Sequence, residues 1–512
     1  MRTEKGGRRP GFSRLLAAVL LFLGLWGCAA KTPPPPPPPP PPPAEARDLL
    51  TLPQSVAAYF TPAGLDAPFL APAVQERLAA RLRELHFAPW HRTRPAHDKA
   101  DALWGLGYLK QNRHYGENLR LLGPAFRERM EALVQADGYP NTLRPAIATA
   151  NTSLRVLPTV RPGFLKPSLP GEGYPFDYWQ NSGLLAGTPL LVTQLSADGA
   201  WALVEGRVAA GWVSVADIAY VDEAFMARWE ALPLAAVTRE EAALVALSAE
   251  EGAPPTYLFA GRIGALLPLA DADAQGLTLL APARDAAGKA VSLAVRLPHD
   301  QAEAMPLAPT PRNFARLADQ LMGQPYGWGG YLGNRDCSAM VLDLYAPFGI
   351  FMPRNSQAQS RQGEWLPWAG LAPADKEAML LDRGAPLLTL VHKPGHIMLY
   401  LGQKDGRAVI LHDIWGLRTL DRQGAAGRFV VGRVAITTLT PGAEIPDVAR
   451  SGLLLPTLDG MTLVAPGVRK LAPGQARQPS PARQPAEKGR VCDAPGSFDA
   501  APGQPGAPES SN

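Results

Sequence analysis

Apolar and polar positions change their rhythm several times along this chain. In AVQERLAARLRELHF (73–87), Val74, Leu78, Leu82 and Leu85 recur at three- and four-residue spacing, which puts them on one face of a helix. GPAFRERMEALVQADG (123–138) repeats that logic, with Gly138 as a stop signal. Between them RPAHDKADALWGLGYLKQNRHYGENLR is rich in aromatics and charge but has no clean period. It reads as a loop, either lining something or crossing the surface. Residues 44–150 are therefore expected to form a mostly helical N-terminal domain.

From about 151 the texture becomes short strands. TPLLVTQLS, WALVEGR and GWVSVADI alternate β-branched and apolar residues with turn signals every several positions. This predicts a small all-β, SH3-like barrel over 151–222. RIGALLPLADADAQGLTLLAPARDAAGKAVSLAVRL repeats the strand-turn-strand pattern and predicts a second over 235–300. From 305 to 440 the chain reads as a separate α+β unit. Helix RNFARLADQLMG is followed by a glycine-rich loop, helix DCSAMVLDLYAPFG, and strands around HIMLYLGQKDGRAVILHDIWG and RFVVGRVAI. A chain of 512 residues is long enough for several such domains.

The two ends differ from this middle. Arg2, Lys5, Arg8, Arg9 and Arg14 precede LLAAVLLFLGLWG, an apolar run shorter than the ~20 residues that span a bilayer. That order describes a secretory signal, 1–27. Leu25-Trp26-Gly27-Cys28 resembles a bacterial lipobox, which implies lipidation of Cys28, although Trp26 replaces the usual small residue; the alternative is an ordinary cleaved signal. Ala29 resembles sorting to the periplasmic face of an outer membrane. The prolines of 33–43, at ~3.1 Å per residue, would extend about 34 Å and make 28–43 a stalk behind the lipidated cysteine; the alternative is a disordered linker with no spacing role. Residues 441–512 read as an extension, disordered from about 471. The net charge of +4 is scattered, with no basic stripe interleaved with aromatics, so a nucleic-acid partner is not expected.

Three cysteines do not make a disulfide framework. With Cys28 assigned to lipid and Cys492 in the tail, Cys337 is an exported thiol without a partner. It stands at the predicted start of a helix, where the dipole should lower its pKa toward neutrality, with Asp336 able to cap. Three of the eight histidines share this block. If HIMLYLGQKDGRAVILH folds as a hairpin around GQKDG, Leu401 pairs with Arg407, Tyr400 faces Ala408, and His396 faces His412. His396 could then take the thiol proton while His412 orients it; His392 reads as a loop residue. Zinc held by Cys337, His396 and His412 would lack a close ligand pair and a fourth ligand. No metal or cofactor is expected.

YGWGGYLGNRDCSAM, MPRNS (352–356), KPGHIMLYLG and LHDIWG together resemble the NlpC family of papain-like cell-wall cysteine peptidases over 305–440. The resemblance implies Cys337 as nucleophile, His396 as base and His412 as third member. It also implies Tyr326 as an oxyanion partner, Asp336 and Ser338 as residues holding substrate, and a substrate position at Asn355, where some relatives carry aspartate. The implied substrates are peptidoglycan stem peptides or muropeptides, cut between D-γ-glutamate and a diamino acid such as diaminopimelate. In multidomain members of similar layout, the adjacent barrel reads the free amine of an N-terminal L-Ala. Asp177 in YPFDYWQNS, with Tyr178 beside it, is the acidic candidate for that amine. The alternatives are a lipoprotein that only binds wall, and an amidase or acyltransferase on the same fold.

Overall fold

Helix Pro72–Phe87 forms where the apolar period predicts it, with Pro72 in its first turn, where no N–H is needed. The computed structural model describes residues 45–247 and 254–465. The expected leader, Cys28, the proline run, the tail from 471 and Cys492 lie outside them. Among the described residues no helix is long and apolar enough to cross a membrane.

The aromatic stretch expected as loop is partly helical. Asp98 caps Lys99–Ala102 through the Asp101 N–H, and Trp104–Gln111 follows. Short helices stitched by a side-chain cap leave no long period to read. Helix Pro124–Val134 stops earlier than Gly138, at Gln135, whose φ of 46° ends the ladder.

The first barrel starts at 144, not 151. Strand Arg144–Ala148 pairs antiparallel with Pro189–Leu195 on one side and Ile218–Tyr220 on the other. It buries Ala146 and Ala148 in a core with Leu190, Val192, Val204 and Val213. The second barrel runs from Leu234–Val237 to Ala302–Ala304 in its own seven-stranded sheet. The α+β unit is built on six strands: β1 (Glu364–Pro367), β2 (Thr389–Lys393), β3 (His396–Lys404), β4 (Arg407–Leu420), β5 (Ala426–Thr438) and β6 (Gly460–Leu463), in the order β1-β6-β2-β3-β4-β5. Its expected boundary at 440 is thus too early. β6 inserts between β1 and β2, a long-range pairing that no local pattern announces.

One apolar core joins the helical region, the second barrel and the α+β unit. Leu82 and Trp90 from the first, Trp229, Leu267 and Leu279 around the second, and Phe314, Val341 and Leu399 from the third belong to it. A buried arginine adds polar order to this junction. Arg335 is held between Asp343 at 2.7 Å and Glu240 of the second barrel at 2.7 Å, and it donates to the Ile263 carbonyl. The N-terminal segment straps edge strand β5: Asp48 accepts from the N–H and hydroxyl of Thr438, and Gln54 bonds both backbone groups of Ile436. An edge that could recruit another chain is thereby covered.

The glycine-rich loop docks the first barrel. Gly329 and Gly330 adopt φ of 61° and 91°, and a Cβ on them would fall 2.6 Å from the Gln180 carbonyl oxygen and 2.4 Å from the Gly183 nitrogen. Only glycine permits both the left-handed turn and that approach. Gln180 completes the seam by donating to the Gly329 carbonyl at 3.1 Å.

Candidate active site

Cys337 is the first residue of helix Cys337–Tyr345, which packs on β3. Asp336 caps this helix: Oδ1 accepts from the Ala339 N–H at 2.8 Å and from the Ser338 hydroxyl, and Oδ2 accepts from the Gly329 N–H at 3.0 Å. Arg354 closes the arrangement with a two-pronged contact to Asp336, plus bonds to Ser338 Oγ and to Ser182 of the first barrel. Burial pushes the Asp336 carboxyl up, but Arg354 and these donors bring it below its ordinary range. Asp336 and Ser338, expected to hold substrate, therefore direct these polar atoms into the protein and act as the floor beneath Cys337. Nothing in MPRNS marks Arg354, because only the fold turns its guanidinium back toward Asp336. Asn355 is likewise a cap, its side-chain oxygen accepting from the Ala358 N–H at 2.7 Å, and the residue stays exposed.

The sulfur of Cys337 accepts the N–H of Ile397, the residue after His396 at the start of β3. His396 Nε2 lies 3.0 Å from Nδ1 of His412, and His412 Nε2 lies 3.1 Å from the Thr437 hydroxyl. Both nitrogens of His412 are thus occupied, so it has none to offer a zinc ion alongside Cys337. His392 is not in a loop. It lies on β2 and bonds Asp459 at 2.8 Å.

The pairing differs from the expected one. Asp405 and Gly406 form a two-residue turn with positive φ at both positions, so Lys404, not Leu401, faces Arg407. A register shift between Tyr400 and Gly402 then places Tyr400 opposite Ile410. Carried on, the register sets Met398 opposite His412. The histidines meet on a diagonal, not a rung. The displacement along the ladder is even, so both stay on one face.

The electrostatics also differ from expectation. Burial pushes the Cys337 thiol up to about 12, and Asp336 and Asp413 add to the rise; the Ile397 N–H and Arg354 oppose it. The helix dipole does not win, because the sulfur is buried and the Asp336 carboxylate next to it adds to the rise. Burial drives His396 well below its ordinary value and His412 to about 3. The resting pair is a neutral thiol and a neutral imidazole. Asp413, fully buried, is driven well above the carboxylate range by burial and by Asp336.

Tyr326 is buried with its ring among Phe176 and Trp415, at 6.3 and 6.1 Å. Burial, then the nearby Cys337 and Asp336, hold its phenol protonated and able to donate. Asp177 is no surface acid: it is fully buried, paired to Arg155 at 2.7 Å and capped by the N–H groups of Gly163 and Trp179. This corrects its expected contact with an amine. Tyr178 beside it stacks on Tyr108 at 5.9 Å and donates its hydroxyl to Glu172. Glu172 is half-buried, and burial raises its carboxyl despite that hydrogen bond and Arg428. From Glu172 the rings of Tyr178, Trp328, Phe176 and Tyr326 run toward Cys337. Glu172 lies two residues before the YPFDYWQNS stretch, and an acid in GEG carries no sequence signal of its own.

Comparison with known proteins agrees with this layout. Residues 323–414 match the NlpC/P60 family, 16–139 the NLPC_P60 stabilising domain, 162–214 an SH3 domain of SH3b1 type and 222–274 one of SH3b2 type. A probable endopeptidase of Corynebacterium glutamicum is 35% identical over 91 residues, covering 18% of this chain and 43% of that protein. A probable endopeptidase of Mycobacterium tuberculosis is 32% identical over 82 residues, covering 16% and 18%. The chain thus spans less than half the length of these curated relatives. A solved NlpC/P60 endopeptidase from Photobacterium damselae subsp. piscicida shares the fold, with a TM-score of 0.73 at 24% identity over 81% of this chain and 97% of that one.

Proposed function

From a chain that carries an NlpC/P60 peptidase domain behind a stabilising domain and two SH3 domains, we propose a cysteine endopeptidase that cuts the D-γ-glutamyl–diaminopimelate bond of peptidoglycan stem peptides. One observation carries it: the Cys337 sulfur meets the N–H of Ile397, the residue that follows His396, and the His396 ring is bonded to His412 at 3.0 Å. With Nε2 engaged by His412, Nδ1 of His396 is the nitrogen left for the thiol.

The reaction is acyl transfer. His396 Nδ1 takes the thiol proton as Cys337 Sγ bonds the γ-glutamyl carbonyl carbon. The oxyanion is met by the Cys337 N–H, free in the first helical turn, and by the Tyr326 hydroxyl. His396 returns the proton to the leaving amine as the C–N bond breaks. It then deprotonates water, which releases the γ-carboxylate and restores the thiol. Because both groups rest neutral, charge separation arises only with attack.

Glu172 takes the role expected of Asp177. Its carboxylate, at the far end of the aromatic wall, suits the ammonium of an N-terminal L-Ala, so released peptides are preferred over stems joined to glycan. An anchor at Cys28 would keep the enzyme at the periplasmic face of an outer membrane; loss of lipid labelling in Cys28→Ala checks it.

The high thiol pKa favours one rival, a lipoprotein that only binds wall. Mass spectrometry of diaminopimelate muropeptides, free or N-acylated, after digestion with the protein separates the two. The expected product is a new γ-glutamyl fragment, absent with Cys337→Ala. No such fragment from the intact protein would leave the binder standing.

A further inference from the structure

Thr437 lies on β5 opposite Ile410, and its hydroxyl reaches diagonally to His412. Its Oγ1 is 2.7 Å from the Thr438 carbonyl oxygen and 3.1 Å from His412 Nε2. A carbonyl only accepts, and a hydroxyl has one proton to give. That proton goes to Thr438, so toward His412 the hydroxyl can only accept, and His412 Nε2 must carry a hydrogen. We propose that Thr437 is a positioning residue that fixes the tautomers of both histidines and thereby leaves Nδ1 of His396 as the bare, proton-accepting nitrogen.

The chain of consequence is short. Burial keeps both rings neutral, so each carries one ring hydrogen. With Nε2 of His412 protonated, its Nδ1 is a lone pair and accepts from His396 Nε2. His396 Nδ1 is then left without hydrogen. In the reverse arrangement His412 would donate from Nδ1, His396 Nε2 would be bare, and the His396 hydrogen would sit on Nδ1, where a base is needed. One backbone carbonyl, relayed through one hydroxyl, therefore selects between a competent and a blocked pair. The strap holds that relay in place. Asp48 fixes the residue after Thr437 through two hydrogen bonds, and Gln54 fixes the residue before it through two more.

The inference rests on the peptidase reading for its purpose, though not for its geometry. The test labels the full chain with 15N-histidine and reads ring tautomers by long-range proton–nitrogen correlation, assigning His412 by its loss in His412→Gln. The wild type should show hydrogen on Nε2 of His412. Thr437→Val, which keeps the shape and loses the hydroxyl, should admit the Nδ1–H form and lower kcat on muropeptides about tenfold or more, with KM little changed. Thr437→Ser should restore both. A wild-type His412 with hydrogen on Nδ1 overturns the proposal, whether or not the valine variant folds. So does a folded Thr437→Val with unchanged tautomer and turnover. A wild type with the expected tautomer that cleaves no muropeptide refutes the peptidase reading and leaves the proton arrangement established.

Discussion

His396 and His412 meet ring to ring at 3.0 Å although the hairpin pairs neither with the other. Their contact spans a diagonal of the ladder, and its outer end is a threonine hydroxyl on the edge strand. Replacing His396 by Ala should reduce kcat/KM on muropeptides by about 10²–10⁴, the usual worth of a positioned general base. The variant should also lose about 1–3 kcal/mol of stability, because truncation leaves Nδ1 of buried His412 without its partner. Equal turnover by this variant would remove the base from the mechanism.

The thiol should behave as a weak acid in the free enzyme. With Cys337 raised to about 12, its alkylation rate should still climb with pH beyond 10, where an ordinary thiol has levelled off. Iodoacetamide modification, read on the Cys337 peptide by mass spectrometry, tests this. A flat rate from pH 5 to 8 would mean a preformed thiolate, contrary to the burial of the sulfur beside Asp336.

His412 should make stability depend on pH. Its folded pKa, about 3, lies below the unfolded value near 6.5, so the native state holds fewer protons. The contribution is therefore present above pH 6.5 and lost as pH falls toward 3. Denaturant melts should show a loss of about 2 kcal/mol between pH 6.5 and 5 attributable to this ring. His412→Gln should flatten that slope; an unchanged slope would place the ring in water.

Glu172 and Asp177 should separate cleanly. Glu172→Gln should raise KM for free-amine peptides about tenfold, as loss of a charged hydrogen bond would, and leave N-acylated ones unaffected. Equal KM for both substrate forms in the wild type would dismiss the amine contact.

Asp177→Ala, by contrast, strands Arg155 in the interior and should cost about 3–5 kcal/mol. Thermal unfolding reads this directly. A shift within error would contradict the buried ion pair.

Glycines at two positions offer a controlled comparison. Gly330→Ala forces a Cβ against Gly183 at positive φ and should destabilise by about 1–3 kcal/mol while raising KM, because the first barrel carries the aromatic wall. Gly107→Ala meets nothing within 4 Å on a helix and should be neutral or stabilising by up to about 1 kcal/mol. Similar melting shifts for both would mean that the loop does not dock tightly.

Much of the architecture was legible because it is locally encoded. The face of Val74, Leu78 and Leu82, the strands of the first barrel, and the helix opening at Cys337 each follow from a period or a cap within a few residues. The Asp405-Gly406 turn is equally local, but the flanking GQKDG residues also suit a longer loop. The histidine contact does not depend on that choice, because an even displacement keeps side chains on the same face. What misled was charge: a helix start and an acidic neighbour looked like activation and recognition. Burial made one a raised thiol and the other, Asp177, an internal ion pair.

The amino-acid order alone pointed to Cys337, His396 and His412 and to the helices and strands whose period or cap lies within a few positions, since those signals depend on near neighbours. The tertiary structure alone decided which acid stays in contact with solvent, which arginine braces Asp336 beside Cys337, and which hydroxyl meets the His412 ring. Those outcomes depend on dielectric and on hydrogen-bond partners brought from as far away as Asp48 and Gln54, and a linear chain has neither until it folds.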